Sequence, residues 1–139
     1  MYLMRIVYCS QVSPEFSPEN IQEILSKAKK NNNQKHITGV LCFNRKYFLQ
    51  CLEGDRKALN DTYHKILNDP RHSDIILLSY KDIDSRSFSS WGMAYIPEQN
   101  LTDAINLKYS GTPDFDPYTM SGDSSFNMLL ELADSLPTI

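Results

Sequence analysis

The chain has 139 residues, a formal net charge of −3, and 41% hydrophobic against 22% charged side chains, which suits a single domain with a sizeable core and a terminal appendage. That balance leaves no electrostatic footprint for nucleic acid, and the basic residues form no run fitted to a phosphate backbone or an anionic membrane. No stretch approaches the roughly 20 apolar residues of a membrane span, and "MYLMRIVYCS" is too short and too alternating for a signal-peptide core, so a cytoplasmic protein with neither nucleic acid nor membrane as partner is expected.

The first element in chain order is "YLMRIVYCS", a strand whose alternation puts Met4, Ile6 and Tyr8 on one face. Ser17 then caps a helix, Pro18 takes its first position, and Ile21, Ile24, Leu25 and Ala28 repeat at helical spacing until "KKNNN" ends the pattern. "ITGVLCFN" and "KYFLQCLEG" read as an antiparallel hairpin turning at Asn44 to Lys46. Asp55 caps a second helix with Leu59, Tyr63, Ile66 and Leu67 on one face, stopped by "NDPRH" at Pro70. A strand "IILLSY" and a shorter one near "WGMAYI" follow.

This β-α-β-β-α-β-β order predicts an α+β, ferredoxin-like fold with two helices on one face of an antiparallel sheet. By period 2, Gln50 shares a face with Phe48 and Leu52. If that face and the face of Tyr8 both look toward the helices, Tyr8 and Gln50 meet there; the opposite parity sends them apart. A buried amide at Gln50 needs partners, at a cost of about 1–3 kcal/mol if it lacks them.

The character of the chain changes near Asn100. A domain over residues 1–98 is followed by a helical extension over 99–139, in which Asp103, Asp114, Asp116, Asp123, Glu131 and Asp134 face one base, Lys108. A short helix, a turn-rich loop and a final amphipathic helix with Phe126, Leu129, Leu130 and Ala133 are expected there. The sheet face opposite the two main helices, with Val7, Leu49 and Cys51, needs a cover that this tail or a neighbouring subunit would supply.

Most catalytic devices are disfavoured. His36, His64 and His72 fall at a loop, a helix surface and a helix exit, with neither a nucleophile-elbow motif nor the spacing of helical zinc ligands. Cys9, Cys42 and Cys51 lie inside strand-like runs without C-x-x-C spacing, which favours packing. Base stacking on an open sheet face, as in RNA-recognition modules, is disfavoured because Tyr47 and Phe48 point to opposite sides and Glu53 and Asp55 follow. What stands out jointly is a phenol and an amide converging between two helices, an Asn pair at the mouth, and Ile24 and Ile66 as facing walls. Such a slot suits a flat heteroaromatic with polar edges.

Five segments carry a family resemblance: "RIVYCSQ" with Tyr8, "KNNNQKHITGVLCF" with Asn31 and Asn32, "FLQCLEGD" with Gln50, "YHKILNDPRH", and "FSSWGMAY" with Trp91 and Met93. Together they resemble the BLUF family of flavin-binding blue-light sensors, and within it the short stand-alone PixD-like members, over roughly the first hundred residues; the tail resembles the C-terminal helices of that group. The resemblance implies a noncovalent flavin, usually FAD with FMN or riboflavin as alternatives, held between the two helices. It implies that Tyr8 hydrogen-bonds Gln50 and that Gln50 meets the reactive edge of the ring. Asn31 and Asn32 would bind the pyrimidine edge, and Ile24 and Ile66 would sandwich the ring. Lys65, Arg71 and His72 would meet the ribityl phosphate region, with Lys65 standing where many members have Arg. Light would draw an electron and proton from Tyr8 and leave the Gln50 amide rearranged, a receptor rather than an enzyme. Output is expected through Trp91 and Met93, either of which could neighbour Gln50. The residues after Asn100 are too few for a cyclase or phosphodiesterase, so a homo-oligomer and a downstream signalling protein, such as one of response-regulator type, are the implied partners. The rival reading is a flavin-dependent oxidoreductase or electron carrier.

Overall fold

Alternation in "LMRIVYCSQV" builds the centre of the sheet: β1 (Leu3–Val12) is flanked on both sides and is buried from Met4 to Ser10. The computed structural model describes residues 2–14, 16–89 and 92–136. After β1 come α1 (Ile21–Gln34), β2 (Thr38–Phe43), β3 (Tyr47–Asp55), α2 (Arg56–Leu67), β4 (His72–Asp82) and β5 (Ala94–Ile96), then α3 (Asp103–Tyr109) and α4 (Gly122–Asp134). The strand order is β4-β1-β3-β2-β5, the ferredoxin-like arrangement with one strand added.

The sheet is mixed, not purely antiparallel as expected. β1 pairs antiparallel with β3 and β4, and β2 with β3, but β5 joins β2 in parallel. The cause is topological: β4 and β5 occupy opposite edges, so their connection traverses the sheet instead of turning back as a hairpin. Phe88, 2% exposed on the face away from α1 and α2, marks that crossing.

The helices keep their expected apolar faces with shifted ends. Pro18–Asn20 forms a 3-10 turn, the α-helix begins at Ile21, and Ser17 caps the turn with its carbonyl (2.9 Å from Asn20 N) more closely than with its hydroxyl (3.3 Å from Glu19 N). At the other end α1 continues through Asn31 to Gln34 instead of stopping at "KKNNN". The Asn32 carbonyl there accepts from the backbone N–H groups of Lys35 and Ile37, which terminates the helix and lets His36 take a φ of 56°. Asp55 stands at the N-cap position of α2 in extended conformation, without a side-chain cap bond. Leu67, expected on the buried stripe, is 45% exposed because it falls in the last, solvent-facing turn.

Two cores result. Met4, Ile6, Tyr8, Leu52 and Leu59 pack between the sheet and the main helices. On the other face Val7, Leu49 and Cys51 are covered by Met128, Leu129, Leu132 and Ala133 of α4, each large side chain contributing about 1.5–3 kcal/mol by burial. The tail is thus the cover that this face required. Its buried stripe is rotated from the expected one, since Met128 and Leu132 are buried where Phe126 and Leu130 are half-buried. Ser121 caps α4 by accepting from Ser124 N. Gly122 lets the helix start against β4, because a Cβ there would lie 2.5 Å from the Leu78 carbonyl oxygen and 2.8 Å from Ser79 Cβ. Lys81 pairs with Asp123 at 3.2 Å, and the Tyr118 hydroxyl donates to the Asp74 carbonyl at 2.5 Å.

β4 is irregular. Its register against β1 shifts between Val7 and Tyr8 and again between Cys9 and Gln11, and Asp74 in the second irregularity has a φ of 50°. Asp is among the few side chains that tolerate that left-handed backbone.

Candidate functional site

Tyr8 and Gln50 are direct cross-strand partners in the β1–β3 register and sit on the helix-facing side, so the parity that joins them is the one realised. The Tyr8 hydroxyl donates to Gln50 Oε1, and Gln50 Nε2 lies 3.4 Å from Met93 Sδ. A thioether accepts but cannot donate, which favours the amide orientation with its NH₂ toward sulfur and its oxygen toward the phenol. All three side chains are under 10% exposed. Burial pushes the Tyr8 phenol far above its ordinary pKa, with Tyr63 and Asp69 adding to the effect, so Tyr8 keeps its proton across the working pH range. The Tyr63 ring stands 5.9 Å from that of Tyr8.

This trio forms the inner end of a cavity of about 240 Å³ between α1 and α2. Ile24 and Ile66 line it from the two helices, Asn31 and Asn32 from the last turns of α1, and Lys65 from α2. Arg71, His72 and Met93 also reach its lining. Trp91 lies outside the described residues. Asn32 is 5% exposed, and its Nδ2 donates to the Gly92 carbonyl at 2.8 Å. Gly92 is packed so closely on α1 that a Cβ would meet Asn33 Oδ1 and come within 3.3 Å of the Lys29 carbonyl.

Arg71 and His72 are less available to an anion than their types suggest. The Arg71 guanidinium forks onto both oxygens of Asp69, which raises the Arg71 pKa, and the Asp69 carboxyl is held below its usual value by that partner despite burial acting the other way. His72 has Nε2 3.0 Å from the Ile66 carbonyl and Nδ1 2.8 Å from Ser10 Oγ. A carbonyl only accepts, so Nε2 carries the proton and Nδ1 accepts from the serine. Burial lowers the His72 pKa, and the ring packs edge-on against Phe48 and Tyr8 as a neutral prop.

Three lysines make the mouth basic instead: Lys65, with Lys27 and Lys35, which the residue-type reading missed. The neighbouring Lys65 ammonium, with a smaller contribution from burial, lowers the Lys35 pKa. Spacing alone carried the signal, because Lys27 on α1 and Lys35 at its C-cap lie four residues on either side of Asn31. Phe16 and Thr62 were also missed. The Thr62 hydroxyl oxygen is buried at the cavity wall without a hydrogen-bond partner among the described residues, one turn before Ile66 on α2. The site therefore offers a proton-bearing phenol coupled to an amide, apolar walls for a flat ring, amides at one edge, an orphan hydroxyl, and a cationic mouth for an anionic tail.

Comparison with known proteins agrees with this chemistry. The family described as sensors of blue-light using FAD matches residues 3–94. The blue light- and temperature-regulated antirepressor BluF of Escherichia coli (strain K12) is 34% identical over 91 residues, covering 66% of this chain and 23% of that protein. The photoactivated adenylate cyclase subunit beta of Euglena longa is 32% identical over 100 residues, or 71% of this chain and 12% of that one. The chain thus spans less than a quarter of the length of these curated relatives. A solved structure of BlsA in its photo-activated state superimposes with a TM-score of 0.86 at 30% identity, covering 99% of each chain. The chain belongs to the BLUF family, the sensors of blue-light using FAD.

Proposed function

We propose that the protein is a blue-light photoreceptor that binds flavin noncovalently and signals by changing a protein contact, not by catalysing turnover. The observation that carries this reading is the buried chain Tyr8–Gln50–Met93 at the inner end of the cavity. The residues suit a flavin: Ile24 and Ile66 face the ring, Asn31 and Asn32 serve its pyrimidine edge, and the orphan hydroxyl of Thr62 gains a partner. Lys65, Lys35 and Lys27 meet the phosphate end, with Arg71 acting through its pair with Asp69 and His72 as a prop. FAD is the form proposed, with the mouth lysines neutralising its diphosphate.

A bound flavin supplies blue-light absorption and, once excited, an oxidant. Tyr8 would be the electron donor to such a group, with its phenolic proton held on the bond to Gln50 Oε1, the atom to which it already donates. The Gln50 amide would be the group left tautomerised or rotated, because a side chain with a donor and an acceptor end can reverse its pattern. The contact between Gln50 Nε2 and Met93 Sδ is then the first to change. The change leaves through the segment around Met93, with Trp91 as the alternative carrier, to the C-terminal helices. There it alters a homo-oligomer or the affinity for a response-regulator-like partner.

BluF, by its name a light-regulated antirepressor, lends support to output through a protein contact, and the overlap with BlsA over 99% of each chain supports a receptor in which the C-terminal helices pack on the sheet. Among the described residues no helix is long and apolar enough to cross a membrane, in keeping with the cytoplasmic location we propose. The test is an absorption spectrum before and after blue light. A yellow protein whose visible band moves reversibly to the red supports the reading. A colourless protein that no flavin reconstitutes, or a flavoprotein that oxidises NAD(P)H without a light-driven shift, refutes it.

A further inference from the structure

Glu53 is fully buried, on the strand that carries Gln50 but on the opposite face of the sheet. Its carboxylate has three donors. Oε2 accepts from Arg5 Nε at 2.9 Å, its cross-strand partner, and Oε1 accepts from the backbone N–H groups of Ser87 and Phe88, each at 2.9 Å. Arg5 also donates to Ser87 Oγ at 3.0 Å. One carboxylate therefore grips the β4–β5 connection a few residues before Met93. Arg86 fastens the same connection by donating to the Glu53 and His36 carbonyls and to Thr38 Oγ1.

The other side of this cluster carries the tail. The Arg5 guanidinium lies 3.8 Å from the centre of the Phe126 ring, and Phe88 meets the same ring edge-on at 6.0 Å. Phe126 of α4 thus rests on two groups that Glu53 holds in place. A carboxylate with directed bonds to Arg5 and to two backbone amides defines one geometry, whereas apolar side chains of similar size would slide. Displacement of the connection at its Met93 end changes the seat on which Phe126 rests.

We propose that Glu53, acting through Arg5 and Phe88, is the positioning residue that couples the Met93 segment to the tail helix α4. The trigger rests on the photoreceptor reading above, whereas the mechanical coupling is a property of this chain in the dark.

The experiment is amide hydrogen exchange across residues 122–134, with absorption spectra in parallel. It compares the wild type, the double variant Arg5→Met with Glu53→Gln, and Phe126→Leu, each with and without Met93→Ala. Removing both members of the ion pair together avoids leaving a lone buried charge, and Phe126→Leu keeps the tail's apolar contact if the double variant does not fold. In darkness Met93→Ala is expected to speed α4 exchange by about 5-fold or more in the wild type, and by under about 2-fold in the other two backgrounds. In flavin-loaded protein both backgrounds are expected to retain the red shift while losing the light-driven change in α4 exchange. Equal responses in all three backgrounds, no response to Met93→Ala in the wild type, or loss of the red shift itself in Phe126→Leu would overturn the assignment. A wild type without a red shift refutes the photoreceptor reading alone, and the dark comparison still decides the coupling.

Discussion

Ser125 sits in the buried face of α4 with no exposed surface, and its hydroxyl oxygen has no hydrogen-bond partner among the described residues. Ser125→Ala should therefore stabilise the protein, an uncommon outcome for a core substitution. Relief of an unsatisfied buried hydroxyl is worth about 1–3 kcal/mol, and alanine's better helix propensity adds roughly half a kcal/mol. The lost contacts of one oxygen atom subtract a few tenths of a kcal/mol. The net gain is about 1–3 kcal/mol, which for a chain of this size raises Tm by roughly 3–9 °C and the urea midpoint by about 0.5–1.5 M. Paired urea and thermal melts of wild type and variant, with unchanged m-values, are the assay. A variant that is no more stable, or is less stable, would show that the hydroxyl has a partner in solution and that this helix–sheet contact carries no unsatisfied group.

In flavin-loaded protein, Tyr8→Phe and Gln50→Leu should each keep the yellow colour and abolish the red shift, since the walls at Ile24 and Ile66 are untouched; a normal shift in either counts against the roles assigned. Thr62→Val should weaken flavin binding by up to about 10-fold while leaving or raising the stability of the flavin-free protein, because the hydroxyl has no partner among the described residues; titration with flavin reads the first and urea melts the second. His72 titrates below its ordinary value in the folded state because of burial. Its stabilising contribution is thus complete above the unfolded pKa near 6.5 and is lost as pH falls through the folded value, with a slope of at most about 1.4 kcal/mol per pH unit. Urea midpoints at pH 7.5 and pH 5 should fall on acidification, and less so in His72→Gln; a larger fall in the variant would reverse the sign of the argument.

What could be read from the residues and what could not divide along physical lines. The period-2 faces of "LMRIVYCSQV" and "YFLQCLEGD" and the apolar stripes of α1 and α2 are local patterns that put Tyr8 and Gln50 each on a definite strand face and Ile24 and Ile66 each on a helix stripe, whereas the parity that brings the two strand faces under the helices is set by tertiary packing. The parallel seat of β5 depends on a long crossing from the far edge of the sheet, for which no local pattern exists. Lys27 and Lys35 come to the cavity mouth only because α2 brings Lys65 to the same opening, a tertiary contact with no local pattern. The Arg5–Glu53 pair was hidden for a similar reason. Charged residues in strands read as exposed positions, and only the tail packing on that face turns them inward.

The doubly bulged strand β4 limits how copies of the protein can associate. A sheet grows by strand addition only where an edge presents an even row of backbone donors and acceptors. At one edge that row is interrupted near Leu78 and again near Asp74, and at the other edge β5 is three residues long. Neither border is a template for a further strand, so the homo-oligomer proposed above would use side chains instead of main-chain ladders. A contact of that kind can be remade by a change of one or two packing groups and released without opening a sheet, which is what a reversible light signal requires.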